Sequence, residues 1–294
     1  MDRTRPHLRQ PRYGDLTQGT VFSCASTLRY EGCHVFGLTI TARCDVAQNK
    51  YPVLNYLPVV ALHDWLSRDG LDILISQEQN DQAGNLRGML KQANVSESLL
   101  LSLSLQKIAA THFPTDTGTS AQKKNAEKFA THIKLMDDFN EVLKAQNQDV
   151  TYGWFKKNRP KSIEQLIHRL SRHDVLGHYL LERLSLDDQL RQGYVCLLRE
   201  VQTLPKSISD RLGKGIDCTT YSNLCHNGSP MAFQLVISVD DLAMPIIEVA
   251  SPTMEHILQA FSQLFGRIGV ADPVPAAISG LISTCLAESE GVRG

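Results

Sequence analysis

A chain of 294 residues with 42% hydrophobic and 21% charged residues and a net charge of -1 has the composition of a folded protein, neither disordered nor supercharged. Near-neutrality excludes a general electrostatic hold on nucleic acid, and no apolar stretch approaches the ~20 residues that cross a bilayer. The polar start Met1 to His7 has no secretory core, and the seven cysteines are odd in number and irregularly spaced, so a cytoplasmic protein with free thiols and no membrane partner is expected.

The length fits one large domain with an insertion or two packed domains. Asp15 to Ser23 reads as a strand entered through a glycine-containing turn, Val35 to Ile40 as a second and Tyr56 to Leu62 as a third. Pro58 suits the start of that third strand or a sheet edge, because it cannot donate to a central ladder. From His63 to about Arg172 the apolar spacing becomes helical: Phe129, Ile133, Met136, Phe139, Val142 and Leu143 form one stripe, and Ile163, Leu166, Ile167 and Leu170 another. Thr111 to Ser120 and Asn147 to Pro160 read as connectors.

Strand signals return at Tyr194 to Leu198, Phe233 to Val239 and Ile246 to Val249. A helix then runs from Met254 to Phe265, with Ser251 as N-cap, Pro252 in the first turn and Gly266 or Gly269 as its stop. The expected fold is α+β: a small curled β-sheet or SH3-like barrel built from both chain ends, with a helical insertion and a C-terminal helix. Its parts are an N-terminal β portion at 13–64, the insertion at 65–190, a second β portion at 191–250 and closing helices at 251–290.

Chemistry concentrates where the second strand ends, at Thr39-Ile40-Thr41-Ala42-Arg43-Cys44-Asp45. A guanidinium beside a thiol can lower its pKa, so Cys44 paired with His34, His63 or His226 is one reading; a turn hydrogen bond from a strand-end Asp45 is the other. Cys218, Cys225 and His226 with Cys24, Cys33 or His34 lack the close ligand pairs of a zinc site. No phosphate loop, dinucleotide fingerprint or hydrolase motif is present, so neither metal nor cofactor is expected. Arg3, Arg5, Arg9 and Arg12, and Lys156, Lys157, Arg159 and Lys161, form basic runs that could touch phosphates or lie in solvent. His168, Arg169, Arg172, His173 and His178 form a titratable cluster that suits phosphate contact or a solvated helix face.

Leu38 to Asp45, followed by Tyr56-Leu57-Pro58-Val59-Val60 and preceded by Gly14-Asp15-Leu16-Thr17-Gln18-Gly19, resembles a largely uncharacterised family of bacterial proteins. In that family a strand ends in a Thr/Ser-x-x-Cys-Asp motif. Ser251-Pro252-Thr253-Met254-Glu255-His256, with Gln259, Phe261, Phe265 and Arg267-Ile268-Gly269-Val270, resembles its closing helix. Members occur in phage-defence or mobile-element neighbourhoods. The resemblance implies a cytosolic interaction or regulatory module of a multi-gene defence or stress system, bound to a protein partner from the same operon, with Thr41, Arg43, Cys44 and Asp45 as its site. The opening is also similar to the small barrels of PemK and MazF toxins. That likeness implies an endoribonuclease acting on nucleic acid, with Arg43 stabilising transition-state charge and Thr41 or a nearby acid assisting proton transfer.

Overall fold

The computed structural model describes residues 7–115, 118–187, 192–226 and 235–266. The amino-terminal part forms β1 (Leu8–Arg9), β2 (Thr20–Ala25), β3 (Val35–Thr39), the short helix α1 (Arg43–Ala47) and β4 (Val53–Ala61). Helices α2 (Leu62–Leu66), α3 (Asp69–Gln92), α4 (Leu105–His112), α5 (Ser120–Lys144), α6 (Gln148–Asn158) and α7 (Pro160–Ser171) follow. The chain returns as β5 (His178–Leu181), β6 (Tyr194–Leu197) and β7 (Gln202–Pro205), then α8 (Lys206–Leu212), β8 (Ile216–Asp217) and α9 (Cys218–His226). Last come β9 (Leu242–Ala243), β10 (Pro245–Val249) and α10 (Thr253–Phe265).

An eight-stranded antiparallel sheet in the order β1-β10-β2-β3-β4-β6-β5, with β7 also on β4, curls into a half-barrel. Both chain ends build it, as the sequence pattern implies. Alternate residues serve two cores because successive strand side chains point to opposite faces. Phe22, Tyr56, Val60, Val195 and Leu204 pack with Trp65, Leu74, Phe155 and Leu170 of the helices. Val21, Leu38, Leu57, Val59, Tyr179 and Val249 pack with Met254 and Ile257 of α10. The far half of the helical block has a third core, made by Leu86, Leu90, Ile108, Phe113 and Phe129. Among the described residues, no helix is long and apolar enough to cross a membrane. Six described cysteines are unbridged.

Several local expectations are corrected. Pro58 lies inside β4, opposite Gly37, not at an edge or a start. Ile40 N donates to Asn55 O, so bonded pairs alternate through Leu38/Leu57 and leave Gly37/Pro58 as a non-bonded pair. The Pro58 nitrogen therefore faces the other side of β4, where β7 pairs Val53 to Tyr56 and β6 pairs Val59 to Ala61, with Leu57 and Pro58 between them. A missing donor costs nothing there. Opposite it, Gly37 leaves room for the Phe22 ring, whose Cζ would stand 2.2 Å from an added Cβ.

The expected connector at Asn147 to Pro160 is helix α6. Asn147 caps it, accepting from Val150 N at 3.1 Å, and buried Tyr152, Trp154 and Phe155 secure it against α5 and the sheet. Gly153 has open space around its Cα, and Pro160 opens α7 instead of breaking α6. The helices of the insertion end at Ser171, and β5, inside the expected 65–190 insertion, belongs to the sheet. Phe233 and Gln234 lie outside the described residues; Leu235 forms only an isolated bridge to Ala25, so no strand runs to Val239. Pro252, not Ser251, caps α10, with no side-chain cap bond; Gly266 ends it, and Gly269 lies outside the described residues.

A partly buried polar cluster joins the half-barrel to the helices. Asp69 accepts from Tyr30 Oη at 2.5 Å and from Arg29 Nε at 2.9 Å, and lies 4.0 Å from His178 Nε2. His178 also packs edge-on against Trp65, with ring centroids 5.2 Å apart. Burial pushes the His178 pKa below its ordinary value, with Arg199 and Arg29 adding to this and Asp69 opposing it. A base with a lowered folded pKa binds fewer protons folded than unfolded, so stability is retained above pH ~6.5 and lost as pH falls through the folded pKa. Denaturant midpoints at pH 7.5 and 5.5 are expected to differ more for the wild type than for His178→Gln.

Candidate functional site

The Thr41 to Asp45 corner is fixed from behind and open in front. Thr41 is buried, and its Oγ1 accepts from Asn55 N at 2.7 Å; Gln18 Nε2 donates to Ile40 O at 3.1 Å. These contacts hold the end of β3 against β4 and the opening turn. The chain then enters α1, where Asp45 in the first turn suits the positive end of the helix. Arg43, Cys44 and Asp45 are all exposed. Cys44 Sγ lies 3.6 Å from Asp45 Oδ1, and among the described residues neither Arg43 nor Asp45 makes an ion pair. Thr41→Val is expected to cost about 1–2 kcal/mol by leaving the Asn55 amide unpaired, whereas Arg43→Ala and Asp45→Ala change stability by less than about 0.5 kcal/mol. Urea midpoints of the three variants check this.

Among the described side chains, neither His34 nor His63 pairs with Cys44 at this corner, and the His226 side chain lies outside them. His63 instead stands edge-on to Tyr152 and lines a groove of about 530 Å³ with Cys33, Asp64, Arg68 and Asn147. There Arg68 Nη2 donates to Cys33 Sγ at 3.3 Å. Burial, with Asp64 adding to it, pushes the Cys33 thiol up, against the opposing pull of Arg68. No three histidine, cysteine or carboxylate side chains among the described residues are grouped to hold a metal ion. The basic runs are partly structural as well: Arg9 pairs with the buried Glu248, Arg159 with the buried Glu78, and Lys156 sits over the Tyr152 ring. Arg3 and Arg5 lie outside the described residues.

The titratable cluster at 168–178 is divided by the fold. His178 turns into the core against Trp65, while His173 stacks on Tyr179 with ring centroids 4.1 Å apart. The tyrosine is placed by the two-residue alternation of β5, which buries Tyr179 and Leu181 on the side that α10 covers. From α10, His256 approaches both rings: its Nδ1 is 2.9 Å from the Tyr179 hydroxyl, and its ring stands edge-on to His173 at 4.9 Å. His7 Nδ1 reaches Thr253 Oγ1 at 2.7 Å. A cavity of about 330 Å³ opens here, lined by His7, Ser171, His173, Tyr179, Arg183 and Thr253. Sequence reasoning did not bring His7, Tyr179 and His256 to His173, because they come from four segments that only the sheet and α10 assemble.

Comparison of the chain with protein-family models, curated proteins and solved structures finds no match.

Proposed function

We propose that this chain is an interaction or regulatory module of a bacterial multi-gene phage-defence or stress system, which binds a partner protein through the Thr41 to Asp45 corner and the helical block. The observation that carries the reading is the form of the corner. Its backbone is pinned by Thr41 and Gln18, yet Arg43, Cys44 and Asp45 are exposed without ion-pair partners among the described residues. A rigid, charged, solvent-facing turn is suited to recognition, because its groups are already oriented and little order is lost on binding. General acid–base chemistry would call for a convergent, water-excluding set of groups, whereas Arg43 is exposed and has no ion-pair partner among the described residues.

The test is recovery of the tagged protein from its native host, with mass spectrometry of bound proteins and sequencing of bound nucleic acid. A stoichiometric partner that is lost from Arg43→Glu and Asp45→Lys, both still folded, supports the reading. Cleavage of RNA by the purified protein alone, abolished by Arg43→Ala, overturns it in favour of a PemK/MazF-like endoribonuclease.

A further inference from the structure

Helix α7 ends in a hydrogen-bonded turn that ordinarily takes glycine. His173 N donates to Leu170 O at 3.0 Å and Asp174 N to Arg169 O at 2.9 Å, the paired bonds of a Schellman ending. His173 occupies the left-handed position of that turn, with φ 60°. Histidine enters this region more readily than most residues but less readily than glycine. The backbone therefore gives no reason for a histidine here. What the side chain does is complete the wall of the cavity, stacked on Tyr179 and set against His256.

We propose that this cavity binds the phosphate of a phosphomonoester of about mononucleotide size, with His7 and His173 as its imidazole contacts. Polar groups line the space from separate elements: His7 from the segment before β1, its Nδ1 bonded to the Thr253 hydroxyl at the start of α10 so that its Nε2 is left for a ligand, His173 from the end of α7, and Arg183 from the segment after β5. A tetrahedral phosphate oxygen set accepts several hydrogen bonds at once, which suits such convergence better than a planar carboxylate does. The first residue of α10 lines the same wall, so the positive pole of that helix adds to the attraction.

Leu8 and Leu181 form an apolar part of the lining, and the volume exceeds what a bare phosphate fills. The ligand accordingly carries a less polar body beside its phosphate. Glu182 also borders the cavity and disfavours the extra charges of a di- or triphosphate. The titratable and charged groups around His173 are then His7 just before β1, Asp174 beside it, Glu182 and Arg183 after β5, and His256 from α10. Burial and the neighbouring His256 lower the His173 pKa, with Asp174 opposing, and an anion held against the ring acts in the opposite direction, favouring its charged form.

The experiment is calorimetric titration of the full chain at pH 6.5 with adenosine 5′-monophosphate, inorganic phosphate and adenosine. Saturable binding of the nucleotide, weaker competition by phosphate and none by adenosine are expected. His7→Ala and His173→Gly each weaken nucleotide binding at least tenfold, and His173→Gly does so with its melting temperature unchanged or raised. A merely structural histidine would instead melt lower when replaced. A 5′-phosphorylated dinucleotide that binds tighter than the mononucleotide assigns the phosphate to a nucleic-acid end; equal or weaker binding assigns it to a free nucleotide. The proposal is overturned if neither the nucleotide nor phosphate binds saturably at millimolar concentration, or if both variants bind as the wild type does.

Discussion

Arg159→Ala is expected to lower the unfolding free energy by about 3 to 5 kcal/mol, although it lies in what reads as a solvated basic run. Its guanidinium grips Glu78 with both oxygens, Nε to Oε2 at 2.8 Å and Nη2 to Oε1 at 2.9 Å, in a forked geometry that lysine cannot copy. Glu78 is only 3% exposed, and Gln82 Nε2 completes its shell at 2.8 Å from Oε1. Gln82 in turn accepts at its carbonyl from His132 Nε2, 3.0 Å away, which ties α3 to α5. Removing the arginine strands a carboxylate among helices α3, α5 and α6. The cost comes from the unpaired charge, so adding Glu78→Gln to Arg159→Ala should recover part of the loss. Urea denaturation of the four-member cycle measures this, and simple additivity of the two single changes would refute the coupling.

Gly19→Ala should cost about 2 to 4 kcal/mol, combining left-handed backbone strain with displacement of a neighbouring strand. Gly19 has φ +95°, and a Cβ there would lie 2.6 Å from the backbone oxygen of Val249. The same residue donates to Thr39 O at 2.9 Å and accepts from Val249 N at 2.8 Å, so it bonds to both neighbours of β2 where the opening turn enters the sheet. Gly14 supplies the contrast. It too has positive φ, +81°, but nothing lies within 4 Å of its would-be Cβ, so Gly14→Ala should cost only about 1 kcal/mol. Similar losses at the two positions would remove close packing as the cause. Thermal melts of both variants decide it.

Both residues show where reading the chain by its local pattern succeeds and where it stops. Gly19 stands out in sequence as the turn before a β-branched run, and the turn is where it belongs. Its intolerance of a methyl group depends on Val249, which arrives from the other end of the chain. Arg159 sits among lysines and has no local mark of burial, because its partner lies 81 residues earlier on α3.

Periodicity alone determined the elements whose burial repeats regularly. The alternation around Val21, Leu38 and Val59 yields strands, and the stripe from Phe129 to Phe139 yields α5, because one buried face imposes its period on the residues that line it. The α+β class and the half-barrel drawn from both chain ends follow from those patterns. Elements whose local signals conflict with their packing were decided by the tertiary structure. Helix α6 exists because Tyr152, Trp154 and Phe155 are buried despite Gly153, and Pro58 is accommodated because the partner of β4 changes beside it.

The candidate sites divide in the same way. Thr41, Arg43, Cys44 and Asp45 are adjacent in sequence, so their grouping was legible; that Thr41 is buried while the other three face solvent is a fact of how β3 meets β4. His7, His173, Tyr179 and His256 come from separate segments, and the His7–Thr253 contact beside them spans 246 positions. Side-chain proximity across such distances is created by strand pairing and helix docking, which bring together residues that no local period relates.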